Sequence, residues 1–114
     1  MNKLEEKIDI VFLSDFYSGF LTEKQNYILE EYYYNDISLT EIAENIGVSR
    51  QAVRDVIENI KKTFIEMENK LSIAYNYKKT KKIIEDLKSS ESEKKIKEVS
   101  KQLSNIVEIW ESKE

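Results

Sequence analysis

Apolar residues recur along this chain at steps of three and four, the period of amphipathic helices, and no stretch shows the alternation of a strand. Leu4, Ile8, Val11, Phe12, Phe16 and Phe20 form one stripe, predicting a helix from about Leu4 to Tyr17 that Ser18-Gly19 ends. Thr22 with Gln25 reads as a capping box, opening a helix through about Tyr34 whose inner face holds Gln25, Ile28, Leu29 and Tyr32. Asn35-Asp36 supplies a turn.

The next stretch, Ser38 to Ile57, reads as two short helices joined by a tight turn, the layout of a helix-turn-helix. Ser38 and Glu41 make a capping box with Ile37 and Ile42 as its staple, and Ser49 is a second N-cap stapled by Val48 and Val53. Ala43 is small where the helices cross, and Gly47 sits where the chain must turn with φ > 0. Ile42, Ile46, Val48, Val53 and Val56 fall on the inward side. The plainer reading of the same residues is a helical hairpin in which Gly47 is only a C-cap.

The helix that starts after Ser49 is expected to run to about Asn76. Val53, Ile57, Ile60, Phe64, Met67, Leu71 and Ala74 alternate steps of four and three, a coiled-coil seam on a helix ~40 Å long. A lysine-rich helix with Ile83, Ile84 and Leu87 follows, then a polar break, Ser89 to Ser92, with Ser90 and Glu93 as a further capping box. Ile96, Val99, Leu103, Ile106 and Trp110 form a second seam. The two seams pair either within one chain or between two. The expectation is a homodimer through Ile60, Phe64, Met67, Leu71, Ile96, Val99, Leu103, Ile106 and Trp110, because an exposed seam is an apolar patch that monomers rarely tolerate.

Composition narrows the chemistry. With 114 residues, no proline and two glycines, a nearly all-helical chain is expected, either one domain or a small domain with a helical extension. No cysteine and no histidine leave neither thiolate nor imidazole for metals or catalysis. There is no glycine-rich phosphate loop, and the carboxylates are scattered, so no enzyme, cofactor or metal is expected. No apolar run approaches the ~20 residues that span a bilayer, and Met1-Asn-Lys-Leu-Glu-Glu lacks the start of a signal peptide. A cytoplasmic location without membrane insertion is the expectation. The net charge of −4 argues against nonspecific affinity for phosphates. It is uneven, however: residues 1–37 carry three Lys against eight Asp/Glu, while residues 38–64 carry four basic and four acidic residues.

Leu21-Thr-Glu, Ser38-Leu-Thr-Glu-Ile-Ala and Gly47-Val-Ser-Arg-Gln-Ala-Val resemble the promoter-binding region four of bacterial sigma factors over Thr22 to Tyr75. Phe16-Tyr-Ser-Gly-Phe-Leu-Thr-Glu-Lys-Gln, the tyrosine-rich helix end and Ser49-Arg-Gln-Ala-Val-Arg-Asp resemble the YlxM family of small bacterial helix-turn-helix proteins over about residues 4 to 110. The richness in Lys, Ile, Asn and Tyr suits the AT-rich Gram-positive genomes where that family is common. The resemblance implies an all-α fold and a regulatory role in DNA or RNA binding. It also implies a link to the signal recognition particle pathway, whose GTPase genes neighbour those of the family.

Ser49, Arg50, Gln51, Arg54 and Asp55 point outward if Val53, Val56 and Ile57 point inward. Those first two turns would enter the major groove, with Arg50 and Arg54 on guanine edges or phosphates and Gln51 on adenine. The amides at Ser49 to Gln51 suit a phosphate. The plainer reading makes the arginines solvated surface residues, neutralised locally by Asp55. Asp55, Glu58, Glu41 and Glu44 would repel phosphates. Lys61 and Lys62 continue the helix toward the DNA backbone. Lys78, Lys79, Lys81 and Lys82 form the densest basic patch, suited to phosphates, RNA included, though a charge run is more often a solvated face. Tyr32, Tyr33 and Tyr34 could stack on bases, but one ring in the core with the others covering a junction is the simpler expectation.

The expected organisation is all-α: a sigma region-four-like helix-turn-helix domain over residues 1–76, including the long helix, and a lysine-rich helical arm over residues 77–114. The expected function is a non-catalytic regulator that binds DNA. The alternative is a protein–protein adaptor for a signal recognition particle component, such as its GTPase, without DNA binding.

Overall fold

The structure is a computed structural model that describes residues 3–89 and 93–112, with side chains described from Asp9 onward, Trp110 excepted. Most of the described residues are helical, and none lies in a strand. The order is α1 (Lys3–Tyr17), a 3-10 turn (Ser18–Phe20), α2 (Glu23–Leu29) continuing into a π-type turn (Glu30–Tyr34), α3 (Leu39–Ile46), α4 (Arg50–Leu71), α5 (Ile73–Lys88) and α6 (Glu93–Glu111). Two compact units are distinguished, Met1–Met67 and Glu68–Glu114, and the division falls inside α4. No described helix is long and apolar enough to cross a membrane.

In the first unit, α1 buries Ile10, Ser14 and Tyr17, a line beside the predicted stripe, whose Val11, Phe12 and Phe16 are only half-buried. Phe20 is 71% exposed, because the 3-10 turn carries it off the helix axis. Leu4 and Ile8 lie outside the described side chains. The capping box at Thr22 is complete: its hydroxyl accepts from the Gln25 N–H at 3.1 Å, and its own N–H donates to Gln25 Oε1 at 2.9 Å. At the other end of this helix the Asn35 N–H reaches back five residues to the Glu30 carbonyl at 3.0 Å. The wider turn advances the helical phase, so Tyr33, not Tyr32, enters the core. Tyr32 lies edge-on to Tyr33 with centroids 5.0 Å apart, and the Tyr34 hydroxyl meets the buried Ser14 hydroxyl at 2.7 Å.

The helix-turn-helix elements form where their signals stand. Ser38 Oγ accepts from the Glu41 N–H at 3.1 Å, the forward half of the expected box. Gly47 takes φ 72° and ψ 36°, the left-handed conformation that costs an L residue about 1–2 kcal/mol, and ends α3. Ser49 Oγ accepts from the Ala52 N–H at 3.0 Å and opens α4. Ile42, Ala43, Val53 and Ile57 are buried, with Ile46, Val48 and Val56 half-buried around them. Further along α4, Ile60 and Phe64 are fully buried, and Phe64 packs on Tyr17 of α1 with ring centroids 6.3 Å apart. Those two positions of the expected dimer seam are thus already filled within a single chain.

The long helix does not run to Asn76. It stops at Leu71, where Ser72 adopts φ 55° and ψ 30°, and α5 starts at once. The Ser72 side chain caps nothing. Instead the carboxylate of Glu68, one turn back, accepts from the Ala74 N–H at 3.0 Å and the Tyr75 N–H at 2.9 Å. A side chain from the last turn of α4 therefore caps the first turn of α5.

In the second unit, α5 and α6 pack as a hairpin around a buried cluster of Ile83, Val99 and Ile106. The face of α6 turned to α5 comprises Lys95, Val99, Gln102, Ile106 and Ile109; Ile96 and Leu103 of the expected seam are exposed. The apolar residues of α6 cover more than one edge, and a single neighbouring helix covers only part of them. Ser90 and the Trp110 side chain lie outside the described residues. Charge supports the antiparallel arrangement. Lysines 78, 79, 81 and 82 occupy the first half of α5, with Glu85, Asp86 and Lys88 after them; Lys94, Lys95, Lys97 and Lys101 outnumber Glu93 and Glu98 in the first half of α6, with Glu108 and Glu111 at its end. Laid antiparallel, the lysine-rich first half of each helix meets the half of the other that carries its excess of carboxylates, while Lys88 in the last turn of α5 and Glu93 in the first turn of α6 suit their own helix dipoles.

Candidate nucleic-acid interface

The first turns of α4 present the residues singled out by sequence. Burial of Val53 and Ile57 fixes the inner side, and Ser49, Arg50, Gln51, Arg54 and Asp55 are all exposed on the outer one. Among the described residues neither the Arg50 nor the Arg54 guanidinium has a hydrogen-bond or ion-pair partner. Asp55 does not neutralise them. Its carboxylate accepts from Gln51 Nε2 at 2.8 Å instead. The reason is helical spacing: Gln51 and Asp55 are four residues apart and share a face, whereas Arg54 and Asp55 are neighbours in sequence and point apart.

The clamp changes what this face offers. Two guanidiniums stand ready to donate, and Gln51, with one Nε2 hydrogen held by Asp55, keeps its second N–H and its Oε1 for an adenine edge. The Ser49 oxygen accepts the cap bond from Ala52, and its own O–H stays able to donate. Further along, Lys61 Nζ lies 3.3 Å from Glu58 Oε1 and is half-buried, so its charge is partly spent locally; Lys62 is exposed. On this face Arg50, Arg54, Lys61 and Lys62 stand against Asp55 and Glu58, two positive charges in excess, within a chain of net charge −4. Glu41 and Glu44 on α3 are exposed as well.

Lys78, Lys79, Lys81 and Lys82 lie on α5 in the second unit, with Lys79 Nζ 5.9 Å from the Tyr75 ring centroid. They form their own patch. Sequence reasoning passed over two polar devices: the Gln51–Asp55 clamp, legible as a four-residue spacing of amide and carboxylate, and the Glu68 cap. It also passed over a shallow groove of about 460 Å³ lined by Ser14, Asp15, Ser18, Gly19, Asn26, Leu29, Glu30 and Tyr34. Asp15 and Glu30 make this groove acidic, and its buried hydroxyl, Ser14, is already bonded to Tyr34 and to the Val11 carbonyl.

Residues 4–106 match the model of a protein family described as "Putative helix-turn-helix protein, YlxM / p13 like". Among similar proteins, a UPF0122 protein of Clostridium novyi (strain NT) is 43% identical over 84 residues, covering 71% of this chain and 73% of its own. A UPF0122 protein of Halalkalibacterium halodurans is 41% identical over 87 residues, covering 76% and 80%. A UPF0122 protein of Bacillus thuringiensis (strain Al Hakam) is 36% identical over 108 residues, covering 95% and 96%. The matched span includes both helices of the motif, the turn at Gly47 and most of the α5–α6 hairpin. On these grounds the chain belongs to the UPF0122 family of YlxM/p13-like helix-turn-helix proteins.

Proposed function

We propose that this protein is a non-catalytic regulator that binds duplex DNA through the start of α4. The observation that carries the reading is the pair of exposed arginines without partners among the described residues, Arg50 and Arg54, on the outer side of a helix whose inner side is locked into the motif. In this reading the α4 N-terminus enters the major groove, Arg50 and Arg54 donate to guanine or phosphate, and Lys62 follows the backbone. Ser49 and Gln51 border the contact, and Lys61 supports it from its pair with Glu58. Titration of fluorescent genomic duplexes at several salt concentrations tests it. Affinity should fall steeply with salt, and Arg50→Ala/Arg54→Ala should weaken binding at least tenfold and reduce the log–log salt slope by about 2. Binding indifferent to salt and to both substitutions would sink the proposal.

The acidity of the head favours a second reading. Residues 1–37 carry eight acidic against three basic residues, beside exposed Phe20 and Tyr27. That face suits a basic protein partner, and the likeness to the YlxM family nominates the signal recognition particle GTPase. In this case the complex should survive Arg50→Ala/Arg54→Ala and fail on charge reversal at Asp15 and Glu30, measured by co-purification with the GTPase.

A further inference from the structure

The two helices of the second unit expose apolar side chains on one common face. On α5, Asn76 and Ile83 are buried, and the residues one position later, Tyr77 and Ile84, are exposed. On α6, Val99 and Ile106 are buried and Gln102 is half-buried, while Ile96, Leu103 and Val107 are exposed. One residue is a rotation of about 100° around a helix. Because α5 and α6 run antiparallel, the same rotation carries both sets to the same side of the hairpin. Five large side chains, each 40–52% exposed, therefore share one face, whereas the buried cluster inside the hairpin has three members. Among the described residues each of the five keeps two-fifths or more of its surface exposed. Helices of 16 and 19 residues give that face a length of ~24–28 Å, enough for the ~800 Å² per partner of a standard interface.

We propose that this face binds a second copy of the chain, so that two α5–α6 hairpins form an antiparallel four-helix bundle. A half-turn about an axis parallel to the helices sets each α5 across from the second copy's α6 and makes all neighbours antiparallel. Ile84 then meets Ile96 of the second copy, and Tyr77 meets its Leu103. Charge selects this occupant. Lys88 closes α5 and Glu93 opens α6 at the same end of the hairpin, and neither has an ion-pair partner among the described residues. The half-turn brings Lys88 opposite Glu93 of the second copy, twice by symmetry. Ser100, small and exposed near the middle of α6, leaves room for Lys81 to cross. The inference is independent of what α4 binds.

Light scattering of the full chain across a concentration series tests it. The wild-type mass should rise from 13.5 kDa to twice that value. Leu103→Glu and Ile84→Glu, both at exposed positions, should hold the mass at 13.5 kDa with helix content unchanged by circular dichroism. Lys88→Glu and Glu93→Lys should each weaken association about threefold, and the double exchange Lys88→Glu/Glu93→Lys should restore it. A chain that stays monomeric in the hundreds of micromolar overturns the proposal. So does a dimer that survives both apolar substitutions, or one that only Ile65→Glu on α4 disrupts. Failure of the charge exchange to restore association overturns the half-turn arrangement.

Discussion

Glu68→Ala should destabilise the protein by about 2 kcal/mol. The Glu68 carboxylate accepts two backbone N–H bonds, at 3.0 and 2.9 Å, from residues that otherwise begin α5 unpaired. A cap at such a site contributes about 0.5–2 kcal/mol, and a hydrogen bond to a charged group about 1.5–3 kcal/mol when sheltered. Glu68 is only half-buried, so two such bonds together come to roughly 2–2.5 kcal/mol. Alanine's better helix propensity returns a few tenths. With an unfolding entropy of about 0.24 kcal/mol/K for 114 residues, the melting point should fall by roughly 8 °C. Thermal and urea melts followed by circular dichroism measure this. Glu68→Gln keeps one acceptor oxygen and should lose about half as much. Adding Ser72→Gly to Glu68→Ala should recover about 1 kcal/mol by relieving the left-handed serine. A Glu68→Ala variant within 0.5 kcal/mol of wild type, or a Glu68→Gln variant below it, would refute the capping account.

Three further outcomes are expected. Phe64→Ala removes a fully buried ring that packs on Tyr17 and should cost about 3–5 kcal/mol in a denaturant titration. Gly47→Ala meets no atom within 4 Å at its new Cβ, so only its left-handed φ opposes it. After the entropy gained from a stiffer unfolded chain, the net loss should be about 0.5–1 kcal/mol, and a larger one would mean the turn is crowded. Asp55→Ala releases Gln51 and removes a carboxylate from the outer face of α4, and should tighten DNA binding about five- to tenfold in the titration of fluorescent duplexes. Unchanged affinity would show that this face does not approach phosphate.

The elements that sequence foretold are those whose signals are local. Thr22 with Gln25, Ser38, Gly47 and Ser49 each act on amides or carbonyls within five residues, and each does what its chemistry predicts. The misplaced features depend on distant partners. Ser72 is an ordinary helical residue by propensity, and the apolar spacing from Val53 to Ala74 runs through it unbroken; the turn there is held by Glu68. In α6 the apolar residues span more than one edge, and periodicity alone does not say which edge α5 will cover. Tyr33 rather than Tyr32 is buried for a similar reason, since the backbone between them is not a regular α-helix. The outer face of α4 was legible as a set of residues. Its internal clamp was legible only as a spacing, because an amide and a carboxylate four apart need not bond.

The π-type turn at Glu30–Tyr34 has a bearing on how this chain tolerates changes of length. It holds one residue more than a regular helix needs to cover the same rise. Excising that residue would leave the helix fully hydrogen-bonded yet wind Tyr33 out of the core by about 100° and uncouple the Tyr34 hydroxyl from Ser14. Glu30 is exposed and Glu31, which accepts from Asn35 Nδ2 at 2.9 Å, is half-exposed, so core packing constrains their number more tightly than their identity. The segment works as a spacer of fixed gauge: insertions or deletions there should be purged even where a substitution at Glu31 is tolerated.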